Sequence, residues 1–368
     1  MNILYHLTIL PPKMPEAEAL SQEISALQNC FGGELVYLNP NAAKVATKEE
    51  DTGQKSLPKV QHFNRLGPNQ LIPIYIPRLL FGFHRLKELR SKEADLDLHH
   101  LYNPDPFPFP ILRRLQRPVV YTISSGVGKR RPNISFFNSL AAVAVADERS
   151  LKRLRAWGVE NVVLVRPGID TNRFTHSPLS LRSEVKLMVG SAPWTKGQFQ
   201  TKGVDALLAA TRQAPHLHLI FLWRGILADE MARRVRALNL EKQVTVLNKQ
   251  VEVNQILADV HASIALAAAP GIIKSYPHSL LDSLAAGKPV LLSRSIPMAD
   301  YVAKTGCGKV VERITPTDIL TAVDALAREY DALQKSAQRV GQRDFSQQQM
   351  IASYQKVYHR ILSPTNRR

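Results

Sequence analysis

The chain has 368 residues, 45% of them hydrophobic and 21% charged, which is enough to bury the cores of two domains of ordinary size. Its 48 Lys and Arg against 31 Asp and Glu give a formal charge of +17, which favours anionic partners, although a basic surface without a special role fits as well. Only Cys30 and Cys307 are present, far apart and outside any metal-binding spacing, so the sequence indicates neither a disulfide framework nor a zinc site.

The N-terminus, MNILYHLTIL, has no basic segment ahead of its apolar run. No stretch approaches the roughly 18 apolar residues that a spanning helix needs. We therefore expect a cytoplasmic protein without a secretion signal or a transmembrane helix.

The first half of the chain alternates short apolar runs with polar helical segments. The apolar runs are NILYHLTIL, GELVYLN, LDLHHLY, PVVYTIS and AAVAVA, and EAEALSQEISALQ has helical spacing. Strands that alternate with helices are typical of βαβ units and a mostly parallel sheet. In LDLHHLY, one of His99 and His100 is expected to be a core residue.

The second half repeats this pattern from a fresh start. Its strand-like runs are VKLMVGS, HLHLIFLW, QVTVLNK, ASIALAA, VLLS and GKVVE, and helical segments separate most of them. Between the halves, residues 173–184 lose periodicity and collect Ser, Pro and Thr, which predicts a domain boundary. Past Pro316 the chain is predicted to be helical almost to its end. The sequence thus favours two α/β units in series.

One acid, Asp282, lies in an otherwise apolar helix-like run, SYPHSLLDSLAAGKPVLLS. Residues 279–282, Ser-Leu-Leu-Asp, fit a capping box, which predicts Asp282 within about the first helical turn. Its carboxylate then either caps the helix only, or also accepts hydrogen bonds from the two hydroxyls of a ribose while the helix N-terminus meets phosphate.

A second loop, SAPWTKGQFQTKG, follows VKLMVG and contains Lys196-Gly197 and Lys202-Gly203. A glycine lets the backbone approach a phosphate closely, and an adjacent lysine supplies positive charge. The loop is not a Walker A motif. A phosphate-binding loop and a basic loop capped by glycine are equally good interpretations of these residues.

Three partial motifs in order resemble those of glycosyltransferase family 4, a group of GT-B enzymes. The family's P-x-G-[IV]-D-x-x-x-F, K-G-x-x-x-L-L and L-E-A-M-A-x-G-x-P-V elements match three places in this order. They are Arg166-Pro167-Gly168-Ile169-Asp170 with Phe174, Lys202-Gly203 with Leu207-Leu208, and Leu281-Asp282 with Ala285, Gly287, Pro289 and Val290. The resemblance covers most of the chain and is strongest from about residue 140 to 310.

This resemblance implies an α/β GT-B fold with two Rossmann-like domains facing a central cleft. Residues 1–175, with a returning C-terminal helix in 346–368, would bind the acceptor, and residues 176–345 would bind a nucleoside diphosphate sugar. The implied activity is a retaining transfer of the sugar to a hydroxyl of a glycan, a lipid-linked or a small-molecule acceptor. Cationic side chains and helix N–H groups would stabilise the leaving diphosphate, so we expect no metal and no cofactor.

The same resemblance assigns roles to individual residues. Lys202 would neutralise the diphosphate, Ser279 lies where backbone N–H groups meet phosphate, and Asp282 would hold the ribose. Lys196 is a further cation in the loop. Arg224 ends a strand of the second unit, where its guanidinium either reaches the diphosphate or is an ordinary exposed arginine.

Several positions depart from the family's pattern, mainly around the expected donor sugar. The first Glu of the E-x7-E element falls on Lys274, close to His278, and Ser124 stands where many members have a histidine. Because an amine cannot accept hydroxyl hydrogen bonds as a carboxylate does, the donor sugar differs, for example by bearing an acid, or the local alignment shifts. A second hypothesis is a catalytically impaired sugar-nucleotide-binding protein or partner subunit.

Residues 76–92, IPRLLFGFHRLKELRSK, mix Leu and Phe with basic side chains. This composition fits either a helix packed on its own domain or a helix that rests on the anionic inner face of the membrane. Nucleic-acid binding rests on the net charge alone, because no aromatic-basic interleaving or known motif supports it.

Overall fold

The structure, a computed structural model, describes residues 1–9, 18–40, 42, 78–181, 183–223 and 227–363. Within these ranges the strands form two six-stranded sheets, and neighbouring strands pair in parallel throughout both. The predicted α/β class with two parallel sheets is therefore confirmed.

The first sheet lies in the N-terminal half. Its strands are β1 (Ile3–Leu7), β2 (Glu34–Tyr37), β3 (Leu98–Asn103), β4 (Val119–Ile123), β5 (Ala142–Val145) and β6 (Val162–Leu164). They are arranged in the order β2-β1-β3-β4-β5-β6. Every residue of β1, β3, β4 and β5 is buried, because helices cover both faces of a parallel sheet.

The second sheet follows the same plan. Its strands are β7 (Val185–Val189), β8 (Leu217–Leu222), β9 (Val244–Leu247), β10 (Ala262–Ala265), β11 (Val290–Ser293) and β12 (Gly308–Val311). They are arranged in the order β12-β11-β10-β7-β8-β9. The short strand β6 has no counterpart among the predicted elements, whereas β7 to β12 all fall on predicted strands.

Helices connect most of the strands. In the first half the described helices are α1 (Ala19–Phe31), α2 (Leu86–Lys92), α3 (Ile134–Asn138) and α4 (Glu148–Ala156). In the second half they are α5 (Gly197–Thr201), α6 (Val204–Gln213), α7 (Ala228–Ala237), α8 (Val253–Asp259), α9 (His278–Ala285), α10 (Met298–Thr305), α11 (Pro316–Arg328) and α12 (Tyr330–Asp344). The last helix, α13 (Gln347–Leu362), packs against α1 and the first sheet. None of the described helices is both long and apolar enough to cross a membrane.

The Arg-Pro-Gly-Ile-Asp motif lies where the chain returns from α12 to α13. The Ile169 N–H donates to the carbonyl of Phe345 over 2.8 Å, and the N–H of Gln347 donates to Ile169 O over 2.9 Å. A Cβ at Gly168 would lie 2.7 Å from Ser346 O, so only glycine fits there. The motif lies on the first connection between the halves and is hydrogen-bonded to the second, at Phe345 and Gln347. The predicted boundary at 175/176 falls between β6 and β7 and stays a prediction.

The predicted basic helix over 76–92 is shorter in the structure. Residues 76 and 77 lie outside the described residues, and a 3-10 turn at Phe83–Arg85 precedes α2. Three of its cations form ion pairs, Arg78 with Asp105, Arg85 with Glu88 and Lys92 with Glu34. Leu89 is buried in the hydrophobic core of the N-terminal half, so this helix packs on its own domain.

Candidate functional site

Each sheet has one point where the strand order reverses. In the first sheet it lies between β1 and β3, and in the second between β10 and β7. Ligands of open parallel sheets bind beyond the carboxyl ends of the strands at such points. The segments that follow these strands are α1 after β1, the Lys-Gly loop after β7, and the run into α9 after β10. The candidate site is built from these three segments.

Helix α9 presents its N-terminus to this site, but not through the predicted capping box. Pro277 is the N-cap, the helix begins at His278, and no side chain caps it. Ser279 is thus the second helical residue, and Asp282 lies in the second turn rather than the first. The N–H groups of His278 and Ser279 have no intrahelical acceptor, because they open the helix. They remain available to an anion.

The loop after β7 brings the predicted cation and this helix terminus together. A Cβ at Gly190 would lie 2.9 Å from Ser279 Oγ, so the backbone after β7 packs directly on α9. Two residues further on, the carbonyl of Ala192 accepts a hydrogen bond of 2.8 Å from Lys202 Nζ. One short segment therefore contacts both Ser279 and Lys202.

Lys202 is only 9% exposed, and burial lowers the pKa of its amine from 10.5 to about 8. A buried ammonium and a helix N-terminus that contact the same short segment both favour an anion there. Lys196, by contrast, is exposed at the start of α5. Arg224 lies outside the described residues.

Asp282 is half-buried and lies three residues after Ser279 on α9. Residues at this spacing share one face of a helix, so the carboxylate lies on the side of the predicted phosphate site, one turn deeper. Because Asp282 lies in the second turn and no side chain caps α9, the interpretation of Asp282 as a helix cap is wrong. The ribose interpretation stays a prediction.

The two halves of the chain dock beside this site through loop 124–126 and segment 270–275. The N–H of Ser275 donates to Ser124 O and the N–H of Gly126 donates to Pro270 O, each over 3.0 Å. Ser275 Oγ also donates to Asp147 Oδ2 over 2.7 Å. These bonds bring the predicted donor-sugar residues Ser124 and Lys274 next to each other, although they are far apart in sequence.

Two carboxylates from α1 reach across to Lys274 and His278. Glu23 Oε1 accepts a hydrogen bond of 2.9 Å from His278 Nε2, and Glu18 Oε1 lies 4.0 Å from Lys274 Nζ. Burial, reinforced by Lys274, lowers the pKa of His278, which is therefore neutral at pH 7. Burial also lowers the pKa of Lys274, and Glu23 and Glu18 oppose this effect.

A narrow cavity lies between the halves at this place. Its lining includes Glu23, Thr122, Ser124, Lys274, Tyr276 and Tyr354. We call it the interdomain cavity. The sequence did not single out Glu23, although one signal was present. It follows Leu20 by three residues and precedes Leu27 by four, so it is an acid on the buried face of α1.

The adjacent histidines of β3 are core residues. His100 donates or accepts hydrogen bonds with Tyr358 and Thr122 over 2.7 and 2.8 Å, and burial lowers the pKa of His100 to about 3. His99 is bonded between His6 and Glu93. Both side chains are buried, and neither is among the residues that line the interdomain cavity.

Comparison with known proteins agrees with this geometry. Residues 173–344 match the family model described as Glycosyl transferases group 1. This part of the chain is similar to the group 1 glycosyltransferases. It contains Lys202, Lys274, His278, Ser279 and Asp282, so the second half of the site lies in the matched region. No curated protein sequence matches the chain.

Solved structures extend the likeness to the whole fold. A glycosyltransferase from Rickettsia africae ESF-5 aligns with a TM-score of 0.69, covering 99% of each chain at 12% identity. Anabaena Alr3699/HepE in complex with UDP aligns with a TM-score of 0.70 at 15% identity, covering 97% of this chain and 99% of its own. Sucrose-phosphate synthase from Thermosynechococcus elongatus aligns with a TM-score of 0.69 at 13% identity, covering 99% and 100%. At such identities the likeness shows the fold, which is GT-B.

Within the described residues, no three His, Cys, Asp or Glu side chains cluster as metal ligands would. The buried positive charge beside the segment that packs on α9 comes from Lys202. The expectation of a metal-independent site stays a prediction.

Proposed function

We propose that the protein is a retaining glycosyltransferase that moves a sugar from a nucleoside diphosphate sugar to an acceptor hydroxyl. One observation carries the proposal. A buried ammonium, Lys202, and the open N-terminus of α9 both contact the same segment, Gly190 to Ala192, at the switch point of the second sheet. A diphosphate is the ligand that such an arrangement recognises.

In this proposal the leaving diphosphate lies between Lys202 and the first N–H groups of α9. Those groups are fixed by the fold before the reaction starts, so they stabilise the charge that develops on the leaving oxygen without reorganisation. Asp282, one turn deeper, accepts hydrogen bonds from the ribose. Ser124, Lys274 and His278 line the sugar side, and the first domain holds the glycan, lipid-linked or small-molecule acceptor. No metal or cofactor takes part.

A screen of donors tests the nucleotide part of this proposal. Thermal unfolding is followed with UDP-, GDP- and ADP-glucose, starting with UDP-glucose because Anabaena Alr3699/HepE is solved in complex with it. At a concentration of one hundred times Kd, a ligand stabilises the native state by about 2.7 kcal/mol, which raises Tm by roughly 5–10 °C for a domain of this size. If none of the three raises Tm, the donor assignment is wrong.

The second candidate function is a sugar-nucleotide-binding subunit without turnover. It is motivated by Lys274 and Ser124, which replace a carboxylate and a histidine of the resembling family. A donor that raises Tm but is neither hydrolysed nor transferred, with glycan, lipid-linked and small-molecule acceptors all present, would favour this candidate.

A further inference from the structure

The two halves of the chain are closed on each other beside the proposed diphosphate site. The interdomain cavity has a volume of about 10 Å³, close to the space that one water molecule needs. Its walls come from both halves, since Glu23 and Thr122 belong to the first and Lys274 and Tyr276 to the second. A sugar ring is far larger than this space. With the halves in this arrangement, a donor sugar therefore cannot lie between them at this place.

Four polar side chains join α1 to the segment that leads into α9. Glu23 Oε1 accepts the hydrogen bond of 2.9 Å from His278 Nε2, and Glu18 Oε1 lies 4.0 Å from Lys274 Nζ. We call these four side chains the interdomain clasp. The side chains of Glu23 and His278 are 6% and 9% exposed, so their hydrogen bond is shielded from water and is stronger than the same bond at the surface. The clasp therefore favours the closed arrangement.

The second contact of the clasp is incomplete. Lys274 Nζ is buried and has no hydrogen-bond partner among the described residues, because Glu18 Oε1 lies beyond hydrogen-bond distance. A buried ammonium without a hydrogen bond lowers the stability of the arrangement that contains it. The closed arrangement is thus held by one well-formed hydrogen bond and weakened by one unsatisfied cation. Such a balance allows the halves to separate.

The clasp also places negative charge where the diphosphate is proposed to bind. His278 is the first residue of α9, so the Glu23 carboxylate lies beside the helix N-terminus that would hold the phosphates. Glu18 adds a second carboxylate near Lys274, four residues before the helix. Carboxylates repel an approaching diphosphate, and the repulsion is stronger where little water screens it. While the clasp is closed, α1 therefore opposes the binding of the donor.

The connections between the halves are placed to act as a hinge. The first passes through Ile169, after β6, and the second through Phe345, between α12 and α13. Hydrogen bonds of Ile169 with Phe345 and Gln347 hold the two connections together. Hinges commonly form at a few residues at the ends of elements. A rotation here would open the clasp, together with the bonds between loop 124–126 and segment 270–275, and would leave both connections intact.

We propose that the interdomain clasp is an autoinhibitory contact. It holds the halves closed, and the donor binds only after they separate and α1 withdraws its carboxylates from the N-terminus of α9. The apparent affinity for the donor is then lower than the intrinsic affinity, in proportion to the fraction of molecules that are open. This inference rests on the proposed function. It also explains why an interface without room for a sugar lies beside groups suited to a diphosphate.

Calorimetric titration of UDP tests the clasp with the variant Glu18→Gln/Glu23→Gln. Both substitutions keep the shape of the side chain and remove its charge. A hydrogen bond to a charged group is about twice as strong as one between neutral groups, so the closed arrangement loses stability and the Kd for UDP should fall roughly tenfold. If thermal screening selects guanosine or adenosine, GDP or ADP replaces UDP.

The matched control is Asp95→Asn/Glu160→Gln, which also removes two negative charges from the first half. Both residues are exposed at the amino-terminal edge of the first sheet, shortly before β3 and β6. The Kd of this control for UDP should match that of the wild-type chain. The melting temperature of every variant is measured in parallel.

Stopped-flow mixing with UDP shows whether separation comes before binding. If the halves open first, the observed rate of the wild-type chain levels off at high UDP concentration, at the rate of opening. Glu18→Gln/Glu23→Gln should raise this limiting rate. Tryptophan fluorescence provides the signal, because Trp194 is 69% exposed and lies two residues after Ala192, whose carbonyl binds Lys202.

If Glu18→Gln/Glu23→Gln binds UDP no more tightly than the wild-type chain, the clasp does not oppose binding and the inference is wrong. It is also wrong if the variant binds more tightly but the wild-type rate rises linearly with UDP concentration, because the carboxylates then act by repulsion alone. Should the double variant prove unstable, Glu18→Gln, at a side chain 26% exposed, should show a smaller gain in affinity, and no gain would overturn the inference. If neither chain binds any nucleotide of the screen, the proposed function itself fails.

Discussion

Replacing Lys202 by Met removes the buried charge but keeps the length of the side chain. In the protein without ligand, burial lowers the pKa of Lys202 from 10.5 to about 8. That difference corresponds to roughly 3 kcal/mol of disfavoured charge, which a bound diphosphate would relieve. Hydrogen bonds between charged groups contribute about 1.5–3 kcal/mol net, so Lys202→Met should raise the Kd for UDP roughly 10- to 150-fold.

The same reasoning predicts a pH dependence. Because the free protein loses the proton of Lys202 above about pH 8, a diphosphate that requires the ammonium must bind together with a proton there. The Kd of the wild-type chain should therefore rise about tenfold per pH unit above pH 8, and that of Lys202→Met should not. Calorimetric titration of UDP between pH 7 and 9.5 measures both slopes.

The matched control is Lys242→Met. Lys242 is exposed and precedes β9, so it lies at the amino-terminal edge of the second sheet, away from the site. It should leave the affinity and its pH profile unchanged. If Lys202→Met binds UDP as tightly as the wild-type chain, and both have the same pH profile, Lys202 does not contact the diphosphate and the geometric argument fails.

Three further predictions concern the fold. Gly341→Ala should destabilise the protein by about 1–3 kcal/mol in urea unfolding, because α12 crosses α9 there and a Cβ would collide with the carbonyl of Leu284. Gly306→Ala is the control: Gly306 has a positive φ, and nothing lies within 4 Å of a Cβ there, so this variant measures the effect of losing a glycine without a collision. Gly168→Ala should lower Tm for a similar reason, since its Cβ would lie 2.7 Å from Ser346 O at the return to α13; an unchanged Tm would show that this junction adapts. The free energy of unfolding should also fall as pH drops below about 6.5, because the unfolded chain then protonates His100 while the folded chain does so only near pH 3. His100 alone accounts for roughly 2 kcal/mol of this loss at pH 5, so His100→Gln should flatten the dependence of stability on pH.

The sheets were predictable because parallel strands buried on both faces leave continuous apolar runs in the sequence. The runs at Leu98–Asn103 and Val290–Ser293 are examples, since every residue of each is buried. The strand β6, Val162–Leu164, was missed because three residues at a sheet edge carry too short a pattern. The capping box at Ser279 failed because Pro277, in an extended conformation with ψ of 127°, starts the helix one residue before Ser279.

The second-domain residues of the candidate site, Lys202, Ser279 and Asp282, could be proposed from the sequence. Each lies in a short local motif that comes after a predicted strand. The half that comes from the first domain could not. Glu23 and His278 are bonded to each other across 255 positions of sequence, and no local spacing encodes such a pair. The identity of Lys274 alone indicated either a different donor sugar, for example one bearing an acid, or a shifted local alignment. Only the fold brings the carboxylates of Glu18 and Glu23 to Lys274 and His278.

The central claim is that this chain transfers a sugar from a nucleoside diphosphate donor with retention. Proton NMR of the α-linked donor selected by thermal screening measures this directly, because it follows loss of the donor and the anomer of the first product together. We predict that the wild-type chain turns the donor over, that the α anomer forms first, and that Lys202→Met is at least tenfold slower. A donor that binds but stays intact with every class of acceptor, or a β anomer as the first product, would contradict the account.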